Sequence, residues 1–546
     1  MSQEDHKGVL AELLARELTR RVFLGRLGAI VLAAGGAAPA QSALAAPPPR
    51  RGGTLKVAWL DPVDTLDPHI ALSPGATKVH SNLYNSLLKV DYDGKRVRFL
   101  TDLAEKWEMP DPVTHILTLR RGVKFHTGEE LTAEDVKWNQ ERLTDRQVGS
   151  PHAWRLASLD RLQILGKHQI KITFGKPYQF LPVAWAGGTG QAGTIVSRRA
   201  VEKHGRAYGR NPVGTGPFRL VEWVENDRIV LERHREYFEM GADGRRLPYL
   251  DKVTILLFRE PFTAVGAMMA GEIDGMSTCP FPFVTMLRNN QNLTVYGQVE
   301  GNVAYLAMNT RRPPFDDRAL RQAVSFAIDR TFLVQQIYLG EAIPACGAIS
   351  PPMTDFYNPT LCASRKGQVF DLEKAKALRA RSKVQGEIEI EYMTTAGSAG
   401  SGGAGTRVAE LIQPMLAKIG ITARILLYDQ ATWQKKRNTG DFQMYDGGGR
   451  ADLDPDETLF PAWHSGQPWN FVGYSNPEFD RLVTEAQFEP SLPKRKALYE
   501  KAGLILAEDA PCAFLAHLKE FKVLSKRAKN FQYIPADLMN FHTVWV

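Results

Sequence analysis

Apolar positions form one uninterrupted run near the start of the chain, then short alternating segments, then longer alternations of strand and helix beyond about residue 303. Leu55, Val57 and Trp59 alternate over 54–60, so that every second side chain faces one side, which predicts a strand. Residues 114–119, 169–174, 218–224, 228–233 and 252–258 read likewise. Helical spacing appears at 79–88 and at 132–142, where Thr132-Ala133-Glu134-Asp135 has the form of a capping box. A further helix spans 261–271 and stops at Gly271. Beyond 303 the pattern predicts strands at 303–308, 388–393 and 422–427, and helices at 317–339, 405–419, 478–486 and 494–508. Strands alternating with helices predict α/β lobes.

The uninterrupted run, 27–38, is about a dozen residues, short of the roughly 20 that a spanning helix needs. Its flanks decide its meaning. Thr19-Arg20-Arg21-Val22-Phe23-Leu24 precedes it and Ala43-Leu44-Ala45 follows. A charged head, a short apolar middle and a small-x-small cut describe a secretory signal peptide. The paired arginines make it the twin-arginine type, handled by the Tat translocase. The competing readings are a solvated charge pair on a helix and a membrane anchor. The expectation is a signal over 1–45, cleavage near Ala45 and a mature protein in the periplasm.

The 546 residues are 44% hydrophobic and 23% charged, the composition of a soluble globular chain with room for two or three domains. The formal charge is +8; residues 1–45 carry five basic and four acidic side chains, which leaves +7 for the remainder. These charges are dispersed, with no arginine-rich run or zinc-finger spacing, so nucleic acid is not an expected partner. None of the four cysteines forms a CxxC, which argues against thiol-redox and zinc-ribbon chemistry. In an oxidising compartment Cys346 and Cys362 would close a short loop, whereas Cys279 and Cys512 read either as a second bridge or as buried thiols.

Gly400, Gly402 and Gly405 fit GxGxxG between a strand and a helix, with Asp429 ending the next strand, the context of a dinucleotide fingerprint. Gly188, Gly190 and Gly193 match without that context. The first unit lies deep in the chain, has no further βαβ copy, and sits in a run of small residues. Free N–H groups near Thr406, with Arg407 adding charge, would instead suit any anionic group, and a plain surface loop is the other reading. There is no GxSxG, HExxH or phosphate-loop motif, and no cofactor or metal is expected.

Four blocks then carry a family resemblance. They are Thr65-Leu66-Asp67-Pro68 with Asn82-Leu83-Tyr84-Asn85; Leu103-Ala104-Glu105-Lys106-Trp107 leading to Leu119-Arg120-Arg121-Gly122-Val123; Asn211-Pro212-Val213-Gly214-Thr215-Gly216-Pro217-Phe218; and Tyr305-Leu306-Ala307-Met308-Asn309 with Ala327-Ile328-Asp329-Arg330. In order and spacing, from 53 to about 525, they resemble the extracytoplasmic solute-binding proteins of ABC importers, in the dipeptide, oligopeptide and nickel group. The resemblance implies a two-lobe periplasmic-binding-protein fold (class II type) with an extra small domain on the first lobe. Its boundaries would be 46–89, 208–302 and 517–546 for the first lobe, 90–207 for the small domain and 303–516 for the second lobe. It implies a monomer that closes on a solute and delivers it to an ABC permease complex in the inner membrane.

By the same resemblance, Asp452 matches the aspartate that pairs with a peptide ammonium; its other reading is a turn cap before Asp454-Pro455. Three glycines, Gly447–449, stand where an aromatic often precedes that aspartate, which would leave room for a bulkier ligand. Trp433 is expected to stack on the ligand or to serve as core. Tyr305 and the residues around Ser73 are expected to face the cleft, and so is His517 on the returning strand. Trp463 and Trp469 read as pocket walls or as core. Asp446 and Arg450 would select a zwitterionic or basic ligand, pair with each other or face solvent. Peptide-like solutes are favoured over nickel chelates, opines and sugars. The alternatives in other classes are a Tat-exported cofactor-dependent enzyme and a periplasmic sensory receptor on the same fold.

Overall fold

The longest sheet is built around its two longest strands, which tie two α/β lobes together. In the computed structural model the described residues are 48–94, 96–188, 191–395, 405–448, 453–536 and 538–546. The first lobe begins with β1 (Thr54–Trp59) and a short antiparallel pair, β2 (Leu88–Tyr92) and β3 (Val97–Thr101). A small domain follows, with β4 (Ala104–Asp111), β5 (Thr114–Leu119), β6 (Leu159–Gly166) and β7 (Gln169–Phe174) in a separate sheet of order β4-β5-β7-β6. The chain returns to the main sheet with β8 (Phe218–Val224), β9 (Arg228–Arg233), β10 (Lys252–Leu257) and β11 (Gly275–Met276), then leaves along β12 (Leu293–Met308). The second lobe adds β13 (Ala342–Pro344), β14 (Ile388–Thr395), β15 (Ile421–Tyr428) and β16 (Met444–Gly448), and β17 (Cys512–Ser525) runs back. The main sheet has the order β15-β14-β16-β12-β17-β11-β1-β10-β9-β8, with β13 beside β17.

β12 and β17 are antiparallel, paired from Leu293↔Ser525 to Val299↔Lys519 and again from Val303↔His517 to Ala307↔Cys512. The ladder breaks at 300–302, where the chain crosses from lobe to lobe. In the second lobe, one face of the sheet packs Leu306, Tyr392, Val408 and Ile412, and the other packs Trp433, Tyr445, Trp463 and Phe514. No described helix is long and apolar enough to cross a membrane.

Three elements differ from the sequence pattern. The helix expected at 79–88 lies at Pro74–Leu83, because Ser73 accepts a hydrogen bond from Ala76 N and Pro74 occupies the first turn, where its missing N–H costs nothing. The helix expected at 317–339 is two, Arg318–Ala327 and Arg330–Tyr338. Ile328 is extended and Asp329 caps the second by accepting from Phe332 N. The break lets the buried Arg330 donate to the carbonyls of Ser325 and Ile328, which an unbroken helix would have kept for itself, and to those of Ala345 and Phe514 beyond the two helices. Finally, the strand expected at 303–308 is only the second half of β12.

Candidate functional site

β16 places an aromatic patch on the second lobe. Tyr305 of β12 pairs with Gly447 of β16, and side chains alternate, so Tyr305, Tyr445 and Gly447 share one face. The Tyr305 ring meets Trp463 edge-on at 5.7 Å between centroids, and Trp433 meets Tyr445 in the same way at 5.4 Å. Trp433 rides on the helix Gln430–Thr439, whose cap is Asp429, and Arg437 lies 5.0 Å over its ring. Its indole N–H is buried with no hydrogen-bond partner among the described residues. Burial and the adjacent Tyr305 hold the Tyr445 hydroxyl well above the usual phenol range. Three positions named from the sequence, Tyr305, Trp433 and Trp463, are thus brought into one patch, with Tyr445 as the member that sequence reasoning missed. Gly447 does not open room for a ligand, since the rings of Tyr305 and Tyr445 occupy the space above it.

Asp446 lies one residue along β16 and therefore on the opposite face. It pairs with Leu306, is fully buried, and its charge adds to burial in raising the hydroxyls of Tyr338 and Tyr392. Asp446 does not face solvent. Arg450 and Asp452 lie outside the described residues, as do Gly449 and most of the Gly400–Gly405 motif. The chain resumes at Leu453, and Asp454 caps the helix Pro455–Trp463 while its carboxylate receives two bonds from Arg495, at 2.7 and 2.8 Å.

Other predicted positions are engaged elsewhere. The Ser73 hydroxyl donates to Asp64 at 2.7 Å and caps its helix. Arg407 is exposed and pairs with Glu410 at 3.3 Å. His517 lies between Val303 and Ile343 across the strands, edge-on to Tyr357 at 5.9 Å, and burial pulls its imidazole down to about 3. It lines a cavity of about 50 Å³ beside Tyr357 and the Cys346–Cys362 disulfide, whose Cα atoms are 5.4 Å apart. Cys279 and Cys512 are free and buried.

Charge gathers where β12 crosses between the lobes. Lys522 is fully buried 3.5 Å from Glu300, which accepts a 2.6 Å bond from the Tyr533 hydroxyl. Glu520 lies 3.6 Å from Lys522, and burial together with Glu300 raises its carboxyl. Lys78, also buried, reaches Asp61 at 2.6 Å. The only sequence signal for this group was a lysine inside an apolar strand, Phe521-Lys522-Val523-Leu524. Farther out, a cavity of about 240 Å³ lies between Val97, Phe99 and Gln179 on one side and Met353, Phe356 and Leu453 on the other.

Known proteins share this fold. The family described as bacterial extracellular solute-binding proteins, family 5 Middle, matches residues 98–471, more than half of the chain. This chain belongs to that family. As a family 5 protein it is the solute-binding component of an ABC importer, and its relatives are binding proteins rather than enzymes. The glutathione-binding protein GsiB of Salmonella choleraesuis is 28% identical over 490 residues, covering 87% of this chain and 91% of GsiB. The periplasmic binding protein DppA of Helicobacter pylori, solved with the peptide STSA, superposes with a TM-score of 0.79 at 25% identity, covering 91% of this chain and 98% of DppA. The oligopeptide-binding protein AppA of Bacillus subtilis, solved with a nonapeptide, has a TM-score of 0.79 at 23% identity over 91% of this chain and 100% of AppA, a likeness of fold.

Proposed function

We propose that this family 5 protein is exported by the Tat translocase, works in the periplasm as a monomer, and captures a peptide-like solute for an ABC permease complex. The boundaries we assign are 46–89, 208–302 and 517–546 for the first lobe, 90–207 for the small domain and 303–516 for the second lobe. The observation that supports the ligand class is the half-buried Tyr305, backed by the buried rings of Tyr445, Trp433 and Trp463, on the lobe whose sequence also contains Asp452. Aromatic faces bury the side chains of a peptide, and a carboxylate gives its ammonium a charge-assisted bond, stronger than a neutral one. Similarity to a glutathione-binding and a peptide-binding protein supports the same class.

Capture needs no bond-making. A solute shifts the molecule toward the closed state by the contacts it makes only there. A thermal-shift panel of glutathione, dipeptides and tripeptides on the mature protein tests this reading. Solute at 100 times its dissociation constant should stabilise the fold by about 2.7 kcal/mol. The shift should vanish in Asp452→Ala, and a panel without any shift would remove the peptide-like assignment.

A further inference from the structure

Glu457 is the third residue of the helix Pro455–Trp463, and each of its carboxylate oxygens has a separate task. Oε1 accepts from Arg155 Nη1 at 2.7 Å, and Oε2 accepts from the backbone N–H of Leu453 at 3.0 Å. Arg155 comes from the other side of the molecule, in the short turn Ala153–Leu156 of the small domain. Both side chains of the pair are 2% exposed. Trp154 and Phe180, stacked on each other at 5.4 Å, hold the guanidinium at 4.7 and 5.6 Å, so the small domain presents the charge in one fixed direction. The surrounding contacts also join the two lobes: Gln179 N–H donates to the Gln487 carbonyl, Tyr178 packs on Phe488 at 5.8 Å, and Leu453 enters the small-domain core.

These bonds have different lifetimes during a hinge motion. The Glu457–Leu453 bond lies within the second lobe and survives opening. The Arg155–Glu457 pair joins the small domain to the second lobe, so an opening that separates the two would break it. Its charges return to water on opening, so the intact pair adds little net stability, but a closed molecule lacking one partner buries the other uncompensated. Leu453 directly follows Asp452 in the chain. The carboxylate at the contact between the small domain and the second lobe therefore also bonds the backbone of the residue that follows the candidate ligand aspartate in sequence.

We propose that Glu457 is a positioning residue that couples lobe closure to solute capture, by gripping Arg155 across the lobes and the Leu453 backbone within its own. The purpose of this coupling rests on the solute-binding reading, whereas the closure itself can be measured without solute. The test uses the mature protein spin-labelled at Asp160→Cys in the small domain and Glu373→Cys in the second lobe, both exposed positions. Pulsed dipolar spectroscopy then gives the closed, short-distance population. Glu457→Gln and Arg155→Met should each reduce that population at least threefold, and the double variant should reduce it no further than either single one. Arg155→Lys, which keeps the charge, should recover part of it, as a role in folding alone would not require. An absent closed population in the wild type, an unchanged one in Glu457→Gln, or additive losses in the double variant would each overturn the coupling. A second arm follows release of glutathione, which should be faster in Glu457→Gln. Wild type that closes through the pair yet binds no glutathione supports the coupling and counts against the ligand assignment alone.

Discussion

The Tyr305 ring fills the space that a side chain at Gly447 would need. A methyl group on Gly447 would stand 3.1 Å from Tyr305 Cε2 and 2.9 Å from Tyr445 Cε2, both closer than ordinary contact. Gly447→Ala should therefore push both rings out of place. Overpacking of this kind costs roughly 1–3 kcal/mol. The expected result is a lower thermal midpoint together with loss of solute-induced stabilisation, and Tyr305→Ala added to Gly447→Ala should recover at most part of the midpoint, because the closer contact with Tyr445 remains.

Stability should fall as the solution is acidified. Burial holds His69 and His80 at about 4 and His126 and His517 at about 3, against an ordinary 6.5. These imidazoles stay neutral in the fold while the unfolded chain takes up protons, so their contribution is lost as pH drops from 6.5 toward 4. Asp456 acts in the opposite sense: burial pushes its carboxyl up to about 7, so its contribution falls as pH rises from about 4 to 7. Asp102, pushed up to about 6 by burial, acts in the same sense as Asp456; a shift of one unit is about 1.4 kcal/mol, so the four histidines together outweigh these two carboxyls. The thermal midpoint should drop between pH 7 and pH 4.5, and should drop less in His80→Leu.

Reduction should loosen the second lobe. Cys346 and Cys362 are 16 residues apart in sequence, and closing a loop of about that size restricts the unfolded chain by about 3 kcal/mol. Cys346→Ser with Cys362→Ser, or reductant on the wild type, should lower the thermal midpoint, and reductant should have no further effect on the double variant.

Export should depend on the arginine pair. With Arg20→Lys and Arg21→Lys the protein should remain in the cytoplasm with its leader attached, whereas the wild-type periplasmic protein should begin at Ala46 on N-terminal sequencing.

Strands were legible where one face is buried and the other is not, as in β1, β5 and β7, because the alternation survives in the sequence. The first half of β12 was not, since Gln298, Glu300 and Asn302 interrupt the apolar pattern where the strand meets the charges at the crossing. The division at Asp329 was hidden for another reason: both flanking segments are helical, and only the side-chain cap separates them. At the site, aromatic residues could be named but not the face they share, because pairing of Tyr305 with Gly447 is a property of register. Partners such as Arg155 and Glu457, 302 positions apart, leave no local pattern at all.

The central claim is that the protein carries a peptide-like solute between its lobes. Native mass spectrometry of the mature protein, purified from the periplasm without dialysis, tests it most directly. The account predicts one bound solute per chain, identified as a peptide or peptide derivative on release, and missing from Asp452→Ala. A chain that flies bare and stays bare with glutathione and short peptides, or that carries a redox cofactor instead, would contradict it.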